Sequence, residues 1–179
     1  MLTSLACFQH GITDWTSVLP DPFVILPEIL AEGGYATACV INMVGMDGRF
    51  GILRGFQHQS VTGKYDRNAT ATTDEVVELI RTLPRPFFIL VHYFDTHHPY
   101  NPPAEFIDVV NDTSTQNLQS LRSIPLYDAC IRYVDTQIGR IIEALHKNAI
   151  YANTLITITA DHGDCLLYTS DAADEGLGV

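Results

Sequence analysis

The chain has 179 residues, of which 46% are hydrophobic and 17% charged, with a net charge of −11. That balance fits a packed globular domain, or part of a larger one, and excludes a disordered polymer. The acidic surplus disfavours a nucleic-acid or anionic-membrane surface, which needs clustered Lys and Arg, and no apolar run reaches the roughly 18 residues of a membrane-spanning helix.

The first clear element is PFVILPEILAEGG, Pro22 to Gly34, which reads as a short amphipathic helix with Pro27 in its first turn and glycines at its end. Ala36 to Asn42 (ATACVIN) reads as a short buried strand. Asn42 to Arg67, rich in Gly and polar residues, reads as an extended surface connection with one apolar cluster at Arg54-Gly55-Phe56. Thr73-Asp74 offers an N-cap to a helix that ends at Pro84. Pro86 to Asp95 (PFFILVHYFD) is a near-continuous apolar run, as expected of a central strand covered on both faces.

His97 to Pro103 must be a loop, because Pro99, Pro102 and Pro103 forbid regular structure. The polar stretch to about Ser123 predicts irregular structure. From Pro125 to Lys147 the spacing predicts a long helix with Ile131, Val134, Ile138, Ile141, Ile142 and Leu145 on its buried stripe. Asn153 to Ala160 (NTLITITA) reads as a second buried strand, running directly into Asp161-His162-Gly163. Helices alternating with strands predict an α/β fold, a mostly parallel sheet sandwiched by helices. Ligands of such sheets collect at the carboxyl ends of strands, where both His-rich motifs fall.

The last residues stand apart. Cys165 to Glu175 (CLLYTSDAADE) back-translates into the transposon adapter used in shotgun sequencing libraries, so residues 165–179 read as a non-native tail and residues 1–164 as a partial domain. On this reading Asp164, at the junction, is natively Asp or Glu. Cys7, Cys39, Cys130 and Cys165 are scattered without metal-ligand spacing and read as free or buried thiols.

Two places carry candidate chemistry. Asp161 and His162 lie at a strand-to-loop bend eased by Gly163, and a carboxylate beside an imidazole suits a divalent cation; a capping Asp and a surface His are the plain alternative. His97 sits in a loop stiffened by prolines, a good way to aim an imidazole at an oxyanion. It could equally be an ordinary loop histidine.

These residues also form a spaced pattern. PFFILVHYFDTHHPYNPP, then YDACIRYVDTQIGRIIEAL, then NTLITITADHGD resemble the sulfatases of the alkaline phosphatase superfamily, with MLTSLACFQHGI and LPEILAEGGYATACV similar to the family's N-terminal stretches. The likeness implies an alkaline phosphatase-like fold, incomplete here. It assigns Asp161 and His162 to a divalent metal, usually calcium, and His97 to catalysis and to contact with the sulfate or ester oxygen. Asp135 and Gly139 become structural, and His10 lies near the site.

The departures are equally specific. The family's C-x-P-S-R motif, whose Cys or Ser becomes the formylglycine nucleophile, is absent, and Cys7 lies outside its context. Met1 is therefore expected to be internal to a longer frame, which leaves the cellular address open. The family's G-K-W-H stretch is replaced by Ile41-Asn42-Met43-Val44. The expectation is a metal-dependent sulfuric ester hydrolase acting on a sulfate-ester substrate, inactive in this portion. A phosphatase, phosphodiesterase or phosphoethanolamine transferase of the same superfamily, acting on a phosphate ester, is the alternative. A non-catalytic binding module is the rival from another class.

Overall fold

Three parallel strands form the centre of the computed structural model, which describes residues 2–14, 17–63, 67–107 and 119–164, without the side chains of 44 and 119–124. In chain order the elements are α1 (Cys7–His10), α2 (Leu26–Glu32), β1 (Ala36–Ile41), β2 (His58–Val61), α3 (Ala69–Thr82), β3 (Phe87–His92) and α4 (Gln119–Lys147). The sheet order is β2-β1-β3, with β1 parallel to both neighbours. The tail predicted as residues 165–179, including Cys165, lies outside the described residues, as does the polar stretch at 108–118.

Strand β1 divides its side chains between two cores because successive residues of a strand point to opposite faces. Ala38 and Val40 meet Val76, Leu79 and Ile80 of α3 and Ala144 and Leu145 of α4, with Phe87, Ile89 and Val91 of β3 beside them. Cys39 and Ile41 meet Leu53 and Phe56, with Phe88 and Leu90 of β3 on that side. One face is thus covered by a helix pair and the other by the loop between β1 and β2. Gly55 holds that loop down: its φ is +78°, and a Cβ there would lie 2.3 Å from the backbone nitrogen of Glu28, so only glycine lets the loop approach α2 so closely. The Thr37 hydroxyl donates to the Gly55 carbonyl at 2.5 Å and closes the contact.

Helix α2 is shorter than the predicted Pro22 to Gly34, starting at Leu26, but Pro27 does lie in its first turn, where Glu28 accepts the Ile25 N–H at 2.9 Å. Helix α3 begins earlier than predicted. Its N-cap is Asn68, whose side chain accepts from Ala71, and Thr72 and Thr73 are buried inside the first turns. Both hydroxyls find partners, Thr72 on Asn42 at 2.7 Å and Thr73 on Tyr93 at 2.7 Å, which lets two poor helix formers sit there. Within the stretch predicted as a plain connection, residues 58–61 form the edge strand β2. They escaped the pattern because His58, Gln59 and Ser60 are polar, and Ser60 and His58 bond Glu75 on α3.

Two further expectations are corrected. Helix α4 starts at Gln119 and runs through Pro125, at the cost of one backbone bond. Its buried face is Ala129, Cys130, Tyr133, Gln137, Ala144 and Leu145, while Ile131 of the predicted stripe is 42% exposed. Small residues let α4 approach closely, and the Tyr133 hydroxyl accepts the Thr70 N–H at 2.8 Å, which turns Ile131 outward. Asn153 to Ala160 is no strand: residues 151–153 form a 3-10 turn and 154–160 have no regular structure, with Leu155 92% exposed. A strand needs a ladder partner, and none pairs with this segment among the described residues.

The face of α4 is testable. Leu145→Ala is expected to cost about 2–5 kcal/mol in urea denaturation. Ile131→Ala is expected to stay within about 0.5 kcal/mol; equal losses would contradict the orientation.

Candidate active site

The carboxyl ends of β1 and β3 are neighbours, because Ile41 pairs with His92 in the parallel ladder. The residues that follow them are tied by a polar node. Asn42, only 1% exposed, donates through Nδ2 to the Arg67 carbonyl at 3.1 Å and to Asp95 Oδ2 at 3.5 Å, and accepts from Thr72 Oγ1. Asp95 Oδ1 accepts the Ala69 N–H, in the first turn of α3, at 2.8 Å. Burial pushes the Asp95 carboxyl above its usual range, against the lowering effect of the Ala69 N–H. Below the node Arg67 bonds Glu75 at 2.6 Å and the Ile41 carbonyl at 2.9 Å, fixing the β1 end from its other side.

Asp95 opens the turn that presents His97. The His97 N–H donates to the Phe94 carbonyl at 3.0 Å, and the His97 ring stacks on Phe94 with centroids 4.4 Å apart. His97 Nδ1 lies 2.6 Å from the His98 carbonyl oxygen. A carbonyl only accepts, so Nδ1 carries a proton, and in the neutral ring Nε2 is the nitrogen with the lone pair. That nitrogen has no partner among the described residues, and the side chain is exposed.

The second motif lies on the same rim. Tyr100, in the His97 loop, donates through its hydroxyl to Asp164 Oδ2 at 2.5 Å, and its ring packs 5.3 Å from that of Tyr127. Burial and the adjacent Asp164 carboxylate both raise the Tyr100 pKa. Asp161 is close enough to His92, the last residue of β3, for its charge to act on that imidazole; burial holds His92 below the usual histidine range, and Asp161 opposes it. The His92 Nδ1 is buried with no hydrogen-bond partner among the described residues.

At the bend itself, His162 Nδ1 lies 3.0 Å from the Gly163 carbonyl, which again leaves Nε2 as the accepting nitrogen of the neutral ring. The Gly163 carbonyl, then Asp161, raises the His162 pKa. Nε2 stands 3.6 Å from Asp161 Oδ2. Two donors bound to one cation at about 2.0–2.6 Å each lie roughly this far apart, so the pair fits two positions of a coordination shell. Among the described residues no group of three His, Cys, Asp or Glu side chains forms a complete one. Of the other residues singled out by sequence, His10 accepts the Ile12 N–H at 3.2 Å and closes a local turn. Cys7 is exposed, while Cys39 and Cys130 are buried thiols, each pushed up to about 11 by burial.

Sequence reasoning passed over Asp95 and Asn42. The signal lay in an Asp at a strand end, directly before the turn that carries a candidate histidine.

The model of the Sulfatase family matches residues 1–176. The chain belongs to the sulfatase family. It is 31% identical over 108 residues to the uncharacterized sulfatase YidJ of Escherichia coli, covering 45% of this chain and 22% of that protein. It is 26% identical over 139 residues to human iduronate 2-sulfatase, covering 55% and 25%. Its fold superposes on the crystal structure of YidJ from Bacteroides fragilis with a TM-score of 0.77 and 19% identity, covering 92% of this chain and 50% of that one. The chain thus spans about a quarter of the length of these curated sulfatases. The parallel sheet with its flanking helices is the alkaline phosphatase-like arrangement.

Tyr100→Phe is expected to release the turn at 161–164 and leave the sheet intact. Backbone nitrogen relaxation checks this: greater fast motion confined to residues 161–164 is expected, and unchanged motion there would contradict the tie.

Proposed function

We propose that this chain is part of the catalytic domain of a metal-dependent sulfuric ester hydrolase, with His97 facing the ester and Asp161 and His162 holding a divalent cation, calcium by family resemblance. The observation that carries the reading is the Tyr100–Asp164 bond, which joins the loop of His97 to the turn that follows Asp161 and His162. Membership of the sulfatase family supports the sulfate ester as the substrate class. The bound cation would supply positive charge that polarises the ester and offsets charge on the departing oxygen.

The chain's own residues do the rest. Asp161 Oδ2 and His162 Nε2 offer adjacent lone pairs, and the Gly163 carbonyl keeps the His162 proton on Nδ1, away from the cation. His97, held by the Phe94 ring and the His98 carbonyl, presents Nε2 outward. In its neutral form that nitrogen accepts a proton, and after protonation it donates one to the leaving oxygen. The sequence holds no C-x-P-S-R nucleophile motif, so this portion is proposed to bind without turning over.

Two measurements on the full chain test this. Calcium titration by calorimetry is expected to show binding that falls at least about tenfold in Asp161→Ala, as loss of a charged ligand predicts. Equal binding by both proteins would instead support a non-catalytic module in which these side chains are structural. With 4-nitrophenyl sulfate no hydrolysis above background is expected; turnover abolished by His97→Ala would overturn the proposed inactivity.

A further inference from the structure

We infer that Asp95 is the positioning residue of His97, holding the loop through its carboxylate. This rests on the reading of His97 as the ester-facing group. Asp95 is the first central residue of the turn closed by the His97 N–H on the Phe94 carbonyl, so the direction of its side chain and the path of the turn are fixed together. Its two oxygens are held by different elements: Oδ1 by the Ala69 N–H of α3, and Oδ2 by Asn42 at the end of β1. The Ala69 bond is the short one at 2.8 Å and the Asn42 contact is long at 3.5 Å, but both anchoring groups are themselves fixed. Asn42 is buried and bonded to Thr72 and the Arg67 carbonyl, and α3 is packed against the sheet.

The carboxylate therefore transmits the position of β1 and α3 to the turn. With the turn fixed, the His97 ring lies over Phe94 and its Nδ1 reaches the His98 carbonyl. That contact selects the tautomer with Nε2 outward. The burial of Asp95 matches this role, because a carboxylate held in from water costs free energy unless its hydrogen bonds are made. An amide in its place supplies one acceptor for Ala69 but turns a donor toward the donor of Asn42. Asn42 cannot flip to accommodate it, since its Oδ1 receives the Thr72 hydroxyl and its Nδ2 serves the Arg67 carbonyl.

The test is nitrogen NMR of ring-labelled histidines in the full chain, which reads tautomer and ring contacts directly. In the unaltered chain His97 is expected in the single Nδ1–H form with a contact to the Phe94 ring. In Asp95→Ala that form is expected to be lost to the mixture of a free imidazole, together with the Phe94 contact. His58 and His146 serve as internal controls and stay unchanged. Should Asp95→Ala fail to fold, Asp95→Asn decides: it keeps an acceptor for Ala69, and the same loss of the single tautomer is expected. Thr96→Ala, at the next position of the turn, is expected to leave His97 as it was, whereas a purely steric role of the turn would make the two changes equivalent.

A folded Asp95→Ala or Asp95→Asn with an unaltered His97 tautomer and Phe94 contact overturns the proposal. The readout is ring geometry, so that result leaves the sulfate-ester reading standing. Failure of calcium binding in the unaltered chain sinks the reading and leaves this measurement intact.

Discussion

The parallel pairing of β1 with β3 is the constraint on which the rest of the molecule depends. The ladder sets Ile41 beside His92, so the residues that leave the two strands, Asn42 and Asp95, emerge at one edge of the sheet. Both cores are built on β1, since Ala38 and Val40 feed the helix side and Cys39 and Ile41 the loop side. Burial of that strand offsets the cost of gathering polar groups at its end, where Asn42, Asp95, Thr72 and the α3 backbone satisfy one another. A slip of one residue would exchange the two faces of β1 and part Asn42 from Asp95.

From this edge the chemistry is delivered by short turns. One turn folds His97 back onto Phe94, and the Asp161-His162 bend lies within reach of it through Tyr100 and Asp164. In both histidines a backbone carbonyl lies at Nδ1 and Nε2 is the outward nitrogen. On the proposed reading, this shared arrangement lets one imidazole serve a cation and the other a proton without rivalry for the same lone pair. The arrangement agrees with membership of the sulfatase family, while the metal and the substrate belong to the proposal.

Much of the fold was legible in the sequence because burial there is expressed as periodicity. ATACVI produced the buried strand expected and the α3 and α4 spacings produced helices, whereas FFILVH, expected as a central strand covered on both faces, lies at the edge of the described sheet and is half-buried along its length. What escaped was polar. The strand β2 is written HQSV, and its identity comes from pairing with β1 and from Glu75 across the way. The start of α3 escaped because Thr72 and Thr73 are tolerated only through Asn42 and Tyr93, distant in the chain. The run at 154–160 erred in the other direction: apolar composition marked a strand, but a strand exists only where a neighbour completes its ladder. The site divided likewise. His97, Asp161 and His162 stood out by motif, whereas Asp95 and Asn42 acquire meaning only when two strand ends are set side by side.

The central claim is that His97 shares one rim with Asp161 and His162. Manganese titration followed by NMR of the histidine rings tests it most directly, because a paramagnetic cation broadens signals near it and spares distant ones. His162 and His97 are expected to broaden together, and His146, whose helix ends near the start of β3 through the Arg85–Asn148 contact, is expected to stay sharp. Broadening of His162 with His97 untouched would contradict the account.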